Sequence, residues 1–278
     1  MEGTPIMVPS GREAAIAQAD AAGSLSGRVA LLTGAAGDLG RGIAAALAAR
    51  GATVLCADIR SSAEVAQALP DGRGRAVQLD VTDAAEVDRV ISAAADEHGR
   101  LDVLVNNAGL AQRPAPLTDT PDAVVHRLLE VNVKGVLYCA RAAARLMLTQ
   151  GSGRIINIAS QAGMCGVANW AVYSASKAAV VAATQAQALE LAAHGITVNA
   201  ICPGPMLTEM TRESVRLEAQ ASGADWEDLI EAQSRAVPVG RFGTAAELGE
   251  MVVWIASDQA SFTTGASFNL TGGMSVFF

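Results

Sequence analysis

Tyr173 and Lys177 stand four residues apart in the stretch WAVYSASKAAVVAA, a spacing that puts two side chains on one face of a helix. An ammonium about 4 Å from a phenolate attracts it by about 4 kcal/mol at an effective dielectric of about 20. That is enough to lower a phenol pKa from about 10 by roughly three, which makes the phenol an acid or base near neutral pH. The same spacing also arises when an aromatic ring packs in a core and a lysine faces water, so the pair needs partners to mean chemistry. Composition supplies one pointer. Only Lys134 and Lys177 among the 20 basic residues are lysine, and a lysine kept in an arginine-dominated chain marks a place for a compact point charge rather than a planar fork.

A second group with chemical meaning is TGAAGDLG, Thr33 to Gly40. Glycines at a strand-to-helix turn let backbone approach a pyrophosphate, and the helix behind them offers N–H donors and a favourable dipole. Asp58 follows the next apolar run, where a carboxylate accepts from a ribose 2'-hydroxyl and repels a 2'-phosphate. This favours NAD. Arg60, two residues on, softens the repulsion and leaves NADP as the alternative, while an ordinary loop acid is the other reading of Asp58.

The elements that must position these groups alternate along the chain. Short apolar runs at 29–33, 53–57, 76–80, 102–106, 154–160, 196–201 and 267–271 read as strands, and Ala-rich segments at 39–50, 62–69, 84–97, 121–149, 171–193 and 244–256 read as helices. Continuous apolar strands interleaved with helices predict an α/β, Rossmann-type doubly wound fold: a seven-stranded parallel sheet with helices on both faces, in a single domain. Residues 1–26 read as an N-terminal extension with a short helix in 13–22, and residues 27–278 as the dinucleotide-binding catalytic domain. An insertion at about 204–240 breaks the alternation; excursions of that length in a compact domain are lids or binding loops.

Composition narrows the class. The chain has 278 residues, 51% of them hydrophobic and 17% charged, which suits a large packed core and not a disordered module. A net charge of -8 argues against a nucleic-acid partner, which needs a clustered basic face. Cys56, Cys139, Cys165 and Cys202 show neither a disulfide framework nor zinc spacing and predict a reducing cytoplasm. No apolar run has the length of a membrane span, and the first residues lack a secretory pattern. His98, His126 and His194 have no ligand spacing, so no metal site is expected.

The motifs together resemble the short-chain dehydrogenase/reductase family over residues 27–273. The family's TGxxxGxG falls on Thr33, Gly34, Asp38 and Gly40, its NNAG on Asn106 to Gly109, its serine on Ser160, its mid-helix asparagine on Asn132, its YxxxK on Tyr173 and Lys177, and its PG turn with a following threonine on Pro203, Gly204 and Thr208. One position departs: Asp38 stands where the family has its middle glycine. A carboxylate there either faces the pyrophosphate or caps the helix that starts near Leu39; the capping reading is expected.

The resemblance implies roles. Asn132, Ser160, Tyr173 and Lys177 would be catalytic: Ser160 holds the substrate oxygen, Tyr173 exchanges its proton, Lys177 binds the nicotinamide ribose and biases the phenol, and Asn132 bends its helix and positions a water beside Lys177. Cofactor contacts are implied at Gly34, Asp38, Leu39, Gly40, Asp58, Ile59, Asp80, Val81, Asn107, Ala108, Gly109, Pro203, Gly204, Met206 and Thr208, with Asp80 and Val81 at the adenine. Ala162, Cys165 and Trp170 join Ser160 and Tyr173 at the substrate; Trp170 serves equally as a packing residue. The expected activity is hydride exchange between a nicotinamide cofactor and a secondary alcohol or ketone, on a small polyol, sugar or hydroxylated compound. An NADPH-dependent 3-oxoacyl reductase and an inactive NAD-binding regulator are the alternatives. The resemblance also implies a homotetramer joined through the long helices 121–149 and 171–193.

Overall fold

The computed structural model describes residues 24–274; the helix expected within 13–22 lies outside them. Strands β1 (Val29–Thr33), β2 (Thr53–Asp58), β3 (Gly74–Gln78), β4 (Val103–Asn106), β5 (Gly153–Ile158), β6 (Ile196–Pro203) and β7 (Ser267–Leu270) form one parallel sheet. Its order is β3-β2-β1-β4-β5-β6-β7. Helices α1 (Asp38–Ala49), α2 (Ala63–Ala68), α3 (Ala84–His98), α4 (Asp122–Leu129), α5 (Val136–Gln150), α6 (Ala171–Leu191) and α9 (Ala245–Ala256) connect the strands, and α7 (Glu209–Ser222) and α8 (Trp226–Ala236) fill the insertion.

Alternate strand residues feed two cores. Ala30, Leu32, Val54, Cys56, Val105 and Ile156 meet α1 and α9 on one face, while Leu31, Leu55, Leu104, Ile155 and Val198 meet α3, α5 and α6 on the other. Burial on both faces explains why these strands are apolar throughout rather than alternating. The close approach of α1 and α9 depends on glycine: a Cβ on Gly42 would lie 2.5 Å from the Ala245 Cβ. Because the chain leaves β1 in one direction toward β3 and returns to β4 on its other side, the strand order reverses between β1 and β4. A crevice opens there, at the carboxyl ends of the strands.

Two elements differ from the sequence reading. β3 ends at Gln78, two residues before the expected Asp80; it is one of the two edge strands and its pattern is only partly buried, so apolar periodicity marks it poorly. The expected helix 121–149 is divided by a π-helical segment, Glu130–Gly135, for a reason that lies in the site.

Candidate active site

The crevice is a cleft of about 600 Å³ running from Gly34 and the Gly37–Gly40 turn past Asp58 and Val81 to Thr208. Its floor is glycine by necessity. Gly34 has φ +68°, and a Cβ on it would sit 2.8 Å from the Ala108 Cα; one on Gly40 would sit 2.2 Å from the Gly34 carbonyl oxygen. Asn107 locks this turn to β4: its Nδ2 donates to the Thr33 and Gly34 carbonyls at 3.0 and 3.1 Å, and Thr33 Oγ1 accepts from the Asn107 and Ala108 amides at 3.1 and 3.0 Å. A backbone cradle without side chains fits a diphosphate.

Asp58 is buried at the end of β2. Its Oδ2 accepts from the Ala36 amide at 2.9 Å and its Oδ1 from the Arg60 amide at 2.8 Å, with Arg60 Nε 3.5 Å from Oδ1. These bonds fix the carboxylate at the cleft wall and leave lone pairs for a ribose hydroxyl. Ile59, Asp80, Val81, Leu39, Ala108 and Gly109 line the same cleft. Asp80 Oδ1 is engaged by Thr82, from its amide at 2.9 Å and its hydroxyl at 2.7 Å.

The second group meets beside Gly109, which lines the cleft. Ser160 follows β5; its Oγ accepts from the Ala162 amide at 3.1 Å, and its side chain faces the Tyr173 phenol closely enough to favour the ionised form. Lys177 is 5% exposed; its Nζ donates to the Ile158 carbonyl at 2.9 Å and lies 5.9 Å from the Tyr173 ring centroid. Burial brings the Lys177 pKa down to about 8, the neighbouring Cys202 sulfur opposing. The expected lowering of the phenol pKa by Lys177 is not what the structure shows. Burial raises the Tyr173 pKa, and the opposing pull comes from Ser160, while the Lys177 ammonium is engaged by the Ile158 carbonyl.

Asn132 accounts for the π-helical segment. It is fully buried; its Oδ1 accepts from the Leu110 amide at 2.8 Å, and its Nδ2 donates to the Leu110 carbonyl at 2.8 Å and to Ser176 Oγ at 3.0 Å. The bulge thus pins the loop after β4 to the helix that carries Tyr173 and Lys177. Gly109 lies between: a Cβ there would be 3.3 Å from Lys177 Nζ and 3.4 Å from Asn132 Oδ1.

The glycine turn, Asp58, Asn107–Gly109 and Thr208 line one cleft, and Gly109 joins it to Lys177 and Asn132. A family model described as enoyl-(acyl carrier protein) reductase matches residues 34–275. Galactitol 2-dehydrogenase of Agrobacterium fabrum is 39% identical over 90% of this chain and 98% of that protein. The chain belongs to the short-chain dehydrogenase/reductase family. A 3-oxoacyl-[acyl-carrier-protein] reductase of Synechocystis is 40% identical over 91% of this chain and 99% of that protein. Among solved structures, NAD+-bound xylitol dehydrogenase superposes with a TM-score of 0.81 at 34% identity, covering 89% of this chain and 99% of the other.

Against the family pattern, the remaining positions fall as follows. Pro203 ends β6, Gly204 donates to the Leu270 carbonyl at 2.9 Å, and Met206 is buried beneath Gly243. Thr208 is the N-cap of α7, its Oγ1 accepting from the Thr211 amide at 3.2 Å. Ala162 is buried, Cys165 exposed, and Trp170 packs edge-on against Tyr173 at 5.5 Å. Contrary to the expectation from sequence, Asp38 does not cap its own helix. The N-cap of α1 is Gly37, without a side-chain bond, because the helix begins at Asp38 itself, leaving its carboxylate free to turn outward.

Gln112 went unnoticed in the sequence. It is buried; its Oε1 accepts from the Tyr173 amide at 2.9 Å and its Nε2 donates to the Asn169 carbonyl at 3.1 Å. The start of α6 has no side-chain cap of its own, and Gln112 supplies one from a distant loop. No local pattern betrays such a cap. Among the described residues, no group of three potential ligands could hold a metal ion, and no helix is long and apolar enough to cross a membrane.

Proposed function

We propose that the protein is an NAD(H)-dependent oxidoreductase that interconverts a secondary alcohol and a ketone, with a small polyol, sugar or other hydroxylated compound as substrate. The observation that carries the reading is the pairing of Ser160 with Tyr173, with a buried lysine one helical turn on, beside Gly109 of a dinucleotide-sized cleft. A nicotinamide dinucleotide, when bound, supplies the hydride acceptor or donor. The chain's own residues do the rest. Ser160 Oγ holds the substrate oxygen; Tyr173 Oη takes the hydroxyl proton in oxidation and returns it in reduction. Lys177 serves the nicotinamide ribose, and Asn132 holds the helix bend and a water beside it. Gly34, the Gly37–Gly40 turn and the Asn107–Gly109 backbone cradle the dinucleotide, Asp58 and Ile59 its adenosine ribose, and Asp80 and Val81 its adenine. Thr208, with Pro203, Gly204 and Met206 behind it, orients the carboxamide. Ala162, Cys165 and Trp170 line the substrate's path.

Asp58, held by two backbone amides, supports NAD over NADP. Arg60 beside it, together with the resemblance to a 3-oxoacyl reductase, supports the second reading, an NADPH-dependent 3-oxoacyl reductase. Turnover of a panel of polyols, cyclic alcohols, ketones and a 3-oxoacyl thioester with each cofactor separates them. A strong NADPH preference sinks the role given to Asp58, and cofactor binding without turnover across the panel favours an inactive regulator. The same reading takes 27–278 as one catalytic domain behind an extension at 1–26, working as a homotetramer in the cytoplasm, where its free thiols stay reduced.

A further inference from the structure

Asp38, the residue that departs from the family motif, reaches across the cleft instead of into it. Its Oδ2 accepts from the amide of Glu209 at 2.5 Å, a contact between residues 171 apart in sequence. Glu209 is the first residue of α7, and the turn therefore has two side-chain acceptors: Thr208 on the Thr211 amide and Asp38 on the Glu209 amide. The carboxylate sits in the first turn of α1 and against the first amide of α7, at the positive ends of both helices. Glycine at this position could make no such bond.

The polar side-chain contacts of the α7–α8 hairpin are otherwise chiefly internal. Arg216 pairs with Glu209 at 2.6 Å and lies over the Trp226 ring at 5.6 Å, and Gln233 donates to Glu218 at 2.9 Å. Its neck is the backbone pairing of Leu207 with the Gly243 carbonyl at 2.9 Å. Beyond the neck, Asp38 ties the start of α7 to the glycine-rich turn, so that Thr208, Glu209 and Met210 form part of the cleft wall.

We propose that Asp38 is a positioning residue whose carboxylate latches the α7–α8 hairpin over the cleft and holds Thr208 in place. The latch rests on geometry alone; the purpose of holding Thr208 rests on the dehydrogenase reading above. A dinucleotide enters or leaves by opening this bond, so losing it speeds both steps and changes affinity less than either rate.

The test compares Asp38→Gly, which removes the acceptor, with Asp38→Asn, which keeps a neutral one. Hydrogen exchange is followed in the cofactor-free protein over residues 207–216, and NADH release is followed by stopped-flow fluorescence. Asp38→Gly is expected to exchange about tenfold faster over 207–216 and to release NADH five- to tenfold faster, with Asp38→Asn within about threefold of the parent on both. Because Asp38 is exposed, both variants should melt within about 2 °C of the parent. Exchange within twofold of the parent in Asp38→Gly overturns the latch. Faster exchange with unchanged NADH release overturns its role at the cleft. Failure of NADH to bind the parent protein refutes the dehydrogenase reading, while the exchange data still decide the latch.

Discussion

Tyr173 and Lys177 divide the labour of the site unequally. In the proposed reaction Tyr173 exchanges the proton of the reacting oxygen, so Tyr173→Phe should cut kcat/KM by about a thousandfold while the NADH dissociation constant, read by fluorescence titration, stays within about threefold. Lys177→Ala should damage both. Lys177 also carries a stability cost. Its pKa falls from 10.5 to about 8 on burial, and at about 1.4 kcal/mol for each step of one the charged form costs the fold about 3 kcal/mol at pH 7. The unfolded chain binds more protons between those two values, so this cost is complete below pH 8 and fades as pH rises toward 10.5. Lys177→Met should therefore abolish turnover yet raise stability in urea at pH 7 by about 1–2 kcal/mol, the lost bond to the Ile158 carbonyl offsetting about 1. The gain over the parent should shrink at pH 10; an equal gain at both pH values refutes a charged Lys177. Lys134, the other lysine, pairs with exposed Glu130 one helical turn away at 2.5 Å, a surface contact of small consequence.

At the scale of elements, the π-helical turn at Asn132 is a joint. It joins α4 to α5 and carries the side chain that satisfies both the Leu110 amide and its carbonyl. Asn132→Ala strips partners from Leu110 and Ser176 together and should cost about 2–3 kcal/mol, seen as a drop in melting temperature, with kcat falling more than substrate affinity. The 3-10 turn after Ser160 is equally constrained. A Cβ on Gly163 would lie 2.6 Å from the Lys177 carbonyl carbon, which is backbone and cannot yield. Gly163→Ala should therefore push the Ser160 turn off α6 and lower kcat at least tenfold, whereas normal kcat in a folded variant would show that this spacing is not critical.

For the whole molecule, several of the apolar residues left on the surface lie on the long helices α5 and α6. Leu189 on α6 is 86% exposed, Leu137 and Leu148 on α5 are 40% and 41%, and Phe262 is fully exposed. Burial of such residues between copies fits the proposed tetramer. Light scattering should give four times the chain mass, and Leu189→Glu should shift it to a smaller species; a monomeric parent protein refutes the assembly.

Much of this protein was legible in order along the chain. Strand VALLT, the glycine turn behind it, Asp58, NNAG, Ser160 and the YxxxK spacing could be placed because each is a local pattern: periodicity sets the element, and the turn or strand end sets the residue's direction. What the tertiary structure decided were contacts between segments far apart in sequence. Gln112 caps the helix of Tyr173 across 61 residues, Asp38 turns to Glu209 rather than to its own helix, and Lys177 bonds Ile158 while burial, not the lysine, governs the phenol. Local spacing specifies which face of an element a side chain leaves from. The partner it meets, and the solvent it loses, are set only when the elements pack.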